Sequence, residues 1–352
     1  MPLITHQNIG ISGMAAAIPK KRINNYRYTD YFPKNEVKRI VDKTGIYERR
    51  FADDSTCSSD LCYAAAEQLI LKMNIKASEI DVLLFVSQTP DFRMPATACL
   101  LQNRLKLGSS TIAFDINLGC SGFIVALQTA YAMLANPSIS KILLLNGETR
   151  SKVYSAKDRK TAFLFGDAGS ATLIEKGGEF GESYFSLNTD GSGGSIIRVE
   201  AGGYRNPSSK ETLVEKVVDE YGNIRNDEQG VMDGESVFSF VAKKVPKDIE
   251  RLLVYSGVNK SDINYFVFHQ ASKMINDFLI RKLEFEPSKI PSSLHKFGNT
   301  SSVSIPLTIV SELKEELYQI DQICLCAFGV GLSWGSAIIK TSDMVITDLL
   351  EV

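Results

Sequence analysis

The 352-residue chain contains six cysteines and three histidines, and the runs around them show which could react. Cys120 stands in "NLGCSGFIVAL" (117–127), between two glycines, where a strand-like run becomes a helix-like one. The apolar spacing of "SGFIVALQTAYAML" predicts a helix starting directly after it. A thiol at such a turn points outward while the first helical N–H groups face it. With a pKa of about 8.5, only about 3% of a thiol is thiolate at pH 7, and a one-unit fall raises that to roughly a quarter. A helix N-terminus stabilises an anion by about 0.3–2 kcal/mol, enough to cause such a fall. From these residues alone two readings stay open, a nucleophile and a small packing cysteine.

His269 follows the strand-like "NYFVF" and opens "HQAS", so it emerges where that strand ends. Open α/β sheets carry their chemistry at strand ends, which favours a partner for Cys120 over a purely structural histidine. His6 lies near the terminus and is expected in solvent, while His295, in "LHKFGNT", competes from a polar approach to a turn. Asn299 lies in "FGNTSSVSIPL". Its NH2 could donate hydrogen bonds without changing charge, or its side chain could cap the helix that follows. Cys324 and Cys326, in "QICLCAF", share a strand face and are expected in the core. Together with Cys57, Cys62 and Cys99 they form no paired metal-binding pattern, and no disulfide set is expected.

The elements that must position these side chains occur twice. "SEIDVLLFV" (78–86) resembles "SDINYFVFH" (261–269), an offset of about half the chain. A helical run follows each copy, "ATACLLQNRLKLG" or "KMINDFLIRKLEF". Next come "TIAFDIN" and "GCSGF" in the first half, and "SKIPSSLH" and "GNTSS" in the second. Each half then supplies an apolar strand, "KILLLNGE" or "QICLCAFG", and a glycine-led one, "GDAGSATLIE" or "GVGLSWGSAIIK". The shared order predicts a duplication, with an α/β half over 1–176 carrying Cys120 and a second over 177–352 carrying His269 and Asn299. The boundary is expected near Gly177-Gly178. Apolar runs such as "VLLFV" suit central sheets covered by helices on both faces. The stretch from Glu179 to about Glu235 matches nothing in the first half and is expected to be loop-like decoration, a candidate substrate cover.

Composition narrows the class. With 44% hydrophobic residues the chain can bury a large core, and a formal net charge of -2 gives no reason to expect nucleic-acid binding. No run approaches about 18 apolar residues, so no membrane span is expected. The first twenty residues read as a strand and turn, not a leader, and a cytoplasmic location is expected.

Seven segments, "VDKTGIYERR" (41–50), "NLGCSGF" (117–123), "DRKTAFLFGDAGSA" (158–171), "GVMDGESVF" (230–238), "FHQAS" (268–272), "FGNTSS" (297–302) and "AFGVGLSWGSA" (327–337), together resemble the 3-oxoacyl-acyl-carrier-protein synthase III family of thiolase-fold condensing enzymes. The resemblance implies a thiolase-like fold and a Cys-His-Asn triad of Cys120, His269 and Asn299. It further implies an oxyanion site made by the backbone N–H groups of Cys120 and Val330, and a homodimer. The implied reaction is decarboxylative condensation of an acyl thioester, on coenzyme A or acyl carrier protein, with malonyl-acyl-carrier protein through an acyl-Cys120 intermediate. No metal and no redox cofactor are implied.

The chain also departs from the family pattern. Where the family carries a Trp and an Arg that grip the coenzyme A nucleotide, the aligned residues are Arg39 and Lys43. Arg159, in "KDRKT", keeps its counterpart. Phe238 resembles an aromatic residue near the tunnel, and Met94 the residue that reaches across the dimer to close the partner's acyl pocket. Lys273, Arg281 and Lys282 lie near the positions expected to receive an acidic carrier, or form a solvated helix face. A related thiolase-fold acyltransferase of specialised metabolism and a non-catalytic scaffold are the rival readings.

Overall fold

The structure, a computed structural model, describes residues 2–317, 321–341 and 343–352. Leu3–Gln7 forms β1, and Ile9–Ile18 forms β2, buried along its whole length. Lys34–Thr44 (α1) ends at Gly45, whose left-handed φ of 70° lets its N–H close onto the Val41 carbonyl. Ser58–Lys72 (α2), Val82–Val86 (β3), Thr97–Arg104 (α3) and Ile112–Ile116 (β4) follow. Gly122–Leu134 (α4), Lys141–Thr149 (β5) and Asp167–Lys176 (β6) complete the first half.

The second half opens with Glu182–Thr189 (β7). The long helix α5, Gly234–Ser256, is capped by Asp233, whose carboxylate accepts from the N–H groups of Glu235 and Ser236. Tyr265–Phe268 (β8), Lys273–Leu283 (α6), Leu294–Phe297 (α7) and Ser304–Glu312 (α8) lead into Asp321–Gly329 (β9) and Ser333–Thr341 (β10). Two short strands close the chain, Val345–Ile346 (β11) and Leu350–Glu351 (β12).

One sheet runs β11-β2-β6-β5-β3-β4, with β12 also on β2, and the other runs β1-β7-β10-β9-β8. The segments β2-β6-β5-β3 and β7-β10-β9-β8 repeat one topology, with two antiparallel pairings followed by a parallel one. The duplication is therefore present in the hydrogen bonding. Helices α4 and α8 lie between the sheets and share one core cluster with strands of both. That position explains why α4 is apolar nearly all round: Phe123, Ile124, Leu127 and Leu134 are all buried, each contributing about 1.5–3 kcal/mol. Helices α2 and α3 cover the outer face of the first sheet, α5 and α6 that of the second.

Two expectations need correction, and one segment of the repeat takes a different form in the second half. The stretch after Glu179 is not all decoration, because β7 is a paired inner strand of the second sheet and the counterpart of β2. "SKIPSSLH", which stands in the repeat where β4 stands in the first half, forms no strand. Residues 287–289 form a 3-10 turn and Leu294 opens a helix, since Pro287 and Pro291 cannot donate to a ladder. The chain ends also cross the line drawn at 176/177: β1 pairs with β7 in the second sheet, while β11 and β12 pair with β2 in the first. Each crossing covers a strand that would otherwise be an open edge.

Candidate active site

Cys120 sits in the turn between β4 and α4, with Ser121 as the N-cap residue and Gly122 as the first helical residue. The turn is closed by the Gly122 N–H on the Gly119 carbonyl at 2.7 Å. It is pinned to the other half where the Ser121 and Ser333 hydroxyls meet at 2.5 Å. Gly329, at the end of β9, passes so close that a Cβ there would lie 2.5 Å from the Cys120 Cβ and 3.0 Å from its Sγ.

His269 continues from β8, its N–H bonded to the Cys326 carbonyl at 2.8 Å. The Nδ1 atom pairs with the Ser304 hydroxyl at 2.7 Å, and the ring stands edge-on to Phe328. One ring nitrogen is thus committed to α8, which leaves Nε2 for the cavity. Asn299 follows Gly298, which has a φ of 67° and approaches so closely that a Cβ would stand 2.6 Å from the Leu164 carbonyl oxygen. The Asn299 side-chain oxygen accepts from the Ser301 N–H at 2.9 Å. The cap-like role therefore uses the oxygen, and the NH2 remains for other partners.

All three side chains, with Val330, line one cavity of about 1060 Å³ between the halves. Lys43 and Arg159 line it as well, and so does Phe238, which packs on Phe278. Arg39 is exposed and is not among the lining residues; α1 presents Ile40, Lys43 and Thr44 instead. Arg159 is already paired with Glu36 at 3.1 Å. The segment between β7 and α5 supplies part of the wall through Ile197, Tyr221 and Met232. Met94 is 76% exposed and lies outside this cavity.

Lys273 stands at the end of α6 that faces the cavity, next to the lining residues Ser272 and Met274, and pairs with Asp277. Arg281 and Lys282 lie in the last turn of the same helix, about 12 Å further along at 1.5 Å per residue. His295 lies near Tyr47 and outside the cavity. His6 is not solvated as expected. Its ring packs edge-on against Tyr131 and Phe185, and burial lowers its pKa.

Sequence reasoning missed the polar cluster behind the nucleophile turn. Burial alone would push the Cys120 thiol up. The charge and hydrogen bond of His269, then Arg150 and Ser301, more than offset it, and the thiol falls from its ordinary 9.0 to about 7. These named side chains act on a sulfur that also stands directly before the first residues of α4. Ser301 Oγ lies 3.8 Å from Cys120 Sγ and accepts from Arg150 Nη2 at 3.3 Å. Its single hydrogen can go to Glu148 Oε1, at 3.2 Å, or to the sulfur. The only sequence signal was the "ETR" that follows the apolar run "KILLLNG".

A histidine and a carboxamide facing a buried thiol of pKa about 7 can hold an acyl group and stabilise an anion beside it. With the duplicated sheets, this makes the protein a thiolase-fold condensing enzyme, an acyltransferase. Residues 114–193 match 3-oxoacyl-acyl-carrier-protein (ACP) synthase III, and residues 253–341 match the C-terminal part of that enzyme. A beta-ketoacyl-acyl-carrier-protein synthase III of Streptococcus agalactiae is 38% identical over 86% of this chain and 90% of its own length. One from Syntrophomonas wolfei is 34% identical over 94% and 97%. The crystal structure of a 3-oxoacyl-acyl-carrier-protein synthase from Burkholderia xenovorans LB400 superposes with a TM-score of 0.93. It is 35% identical, over 100% of this chain and 99% of that one. The chain belongs to the 3-oxoacyl-acyl-carrier-protein synthase III family.

Proposed function

We propose that the chain condenses an acyl thioester with malonyl-acyl-carrier protein to give a 3-oxoacyl product and CO2, with Cys120, His269 and Asn299 as catalytic residues. The carrying observation is their convergence on one cavity, with the thiol lowered to about 7. In the first half-reaction the Cys120 thiolate attacks the acyl carbonyl carbon. The C–S bond to the donor breaks, and the donor thiol leaves with a proton from solvent. The backbone N–H groups of Cys120 and Val330 are assigned to the tetrahedral oxyanion.

In the second half-reaction the malonyl thioester oxygen sits between His269 Nε2–H and the Asn299 NH2. Acylation of Cys120 removes the thiolate that favours a charged ring; a His269 that then accepts from Ser304 at Nδ1 keeps its hydrogen on Nε2 for this role. Loss of CO2 leaves its electron pair in an enolate that both donors stabilise. The enolate carbon then attacks the acyl carbonyl and expels the Cys120 thiolate. Electrons balance throughout without a metal or redox cofactor.

Lys43, Arg159 and Lys160 at the cavity suit the phosphates of a coenzyme A or phosphopantetheine donor as point charges or forks. Lys273, Arg281 and Lys282 are assigned to carrier docking. We infer a homodimer from the edge of β4, unpaired among the described residues, and from exposed Phe92 and Met94; in it Met94 would reach the partner. Among the described residues no helix is long and apolar enough to cross a membrane. The unpaired cysteines suit a reducing cytoplasm. The test is intact mass spectrometry after incubation with a panel of acyl-CoA thioesters. One acyl group should add to wild type and none to Cys120→Ser, whose hydroxyl lacks a strong base. Acylation retained elsewhere in the variant would remove Cys120 from the mechanism.

A further inference from the structure

Beneath the nucleophile turn lies a charge pair that the proposed reaction does not use. Glu148, in β5, is fully buried, and Arg150, just beyond that strand, is 5% exposed. Arg150 Nη2 donates to Gln88 Oε1 at 2.9 Å and to Ser301 Oγ at 3.3 Å. A Cβ on Gly119, the residue before the nucleophile, would lie 3.0 Å from the same Nη2. The guanidinium is therefore pressed against the backbone of the turn, and it lines the cavity beside Cys120.

The pairing with Glu148 is loose. Arg150 Nε stands 3.7 Å from Glu148 Oε2 and makes no hydrogen bond among the described residues. A buried cation held this loosely has attraction left for a second anion, and the Cys120 sulfur is the group placed to supply it. We propose that Arg150 is a positioning residue that keeps Cys120 charged between turnovers, and that Glu148 limits this effect while neutralising Arg150 once the sulfur is acylated.

The titratable or charged groups around the sulfur are His269 from the end of β8, Glu148 and Arg150 from β5 and its exit, and Tyr154 beyond them. The glycine turn after β9 and the Asn299 loop contribute none. Arg150 stays protonated at any working pH: burial opposes its charge, and Glu148 more than restores it. Glu148 is raised by burial, an effect that Arg150 opposes. Swapping the thiolate for a neutral thioester leaves Arg150 matched by Glu148.

The inference rests on the nucleophile reading of Cys120, and its test separates the two. The rate of iodoacetamide alkylation of the Cys120 peptide is followed by mass spectrometry from pH 5 to pH 10. Wild type should show a midpoint near the lowered value of about 7. In Arg150→Met the midpoint should rise. A rise of one unit cuts the thiolate at pH 7 from about half to about a tenth, a roughly fivefold loss of rate. In Glu148→Gln, which can still accept from Ser301, the midpoint should fall, with a roughly fivefold gain at pH 6 for one unit. All rates should converge by pH 10. If Arg150→Met does not fold, the Arg150→Met/Glu148→Gln double variant removes both charges together and should still titrate above wild type. Midpoints that stay put, or move the same way in both single variants, would overturn the proposal. Opposite shifts without acylation of Cys120 by any thioester would uphold it and defeat the condensing mechanism instead.

Discussion

Replacing Gly329 by alanine tests whether the site depends on close approach of β9 to the nucleophile. The added Cβ would stand 2.5 Å from the Cys120 Cβ, about 1 Å inside ordinary carbon–carbon contact. Neither atom is the end of a flexible side chain. The backbone of the 119–121 turn or of β9 must move to relieve the overlap. Such overpacking costs about 1–3 kcal/mol of stability, or a few degrees of melting temperature in a protein of this size. A displacement of about 1 Å at a reacting atom costs on the order of 100-fold in rate. Acyl-enzyme formation is timed by intact mass with excess acyl-CoA, and melting is followed by calorimetry. Gly178→Ala serves as a control, since a Cβ there meets nothing within 4 Å. Acylation in Gly329→Ala within threefold of wild type would refute the claim that this contact sets the position of Cys120.

Asn299→Ala should cost decarboxylation about 100- to 1000-fold, the effect of losing one oxyanion donor, and Cys120 acylation far less. Asn299→Asp keeps an acceptor for the Ser301 N–H but loses the donor, so it should share the decarboxylation defect; equal loss of both half-reactions would reassign Asn299. Reversing Arg281 and Lys282 to Glu should weaken condensation with the carrier protein and spare self-acylation from a short acyl-CoA. The wild-type carrier rate should also fall as salt rises, because exposed charges are screened over about 8 Å at physiological ionic strength. A carrier rate indifferent to salt and to both reversals would leave the far end of α6 as a solvated face.

The site was legible where chemistry coincides with a break in periodicity. Cys120 and His269 stand where an apolar run stops, and Asn299 stands in the loop that corresponds to the Cys120 turn, so the repeat alone places all three together. The pairing of β2 with β7 was hidden because the two strands live in different surroundings. β2 is buried at every position, whereas β7 mixes buried, half-buried and exposed positions, so their residue types share no common order. "SKIPSSLH" departs in the opposite direction: it stands in the repeat where β4 stands in the first half, and Pro291 forbids a ladder bond there.

The harder loss was Glu148 and Arg150. A charged residue at the end of an apolar run ordinarily marks the exit of a strand to solvent. Here β5 runs on through Thr149 with every residue after Lys141 buried, because the Asn299 loop and the Cys120 turn close over its end. Whether a charge at a strand end faces water or a thiolate is decided by the Cys120 turn together with a loop of the other half, more than 100 residues away. A periodicity read within one half cannot contain that information. The thiol follows the same logic: its own turn supplies the sulfur, while the residues that lower its pKa, His269, Arg150 and Ser301, come from both halves. Duplication thus yields more than a second sheet. It brings loops from two sheets that share one core against one cysteine, and the charge balance at that cysteine belongs to the contact between them.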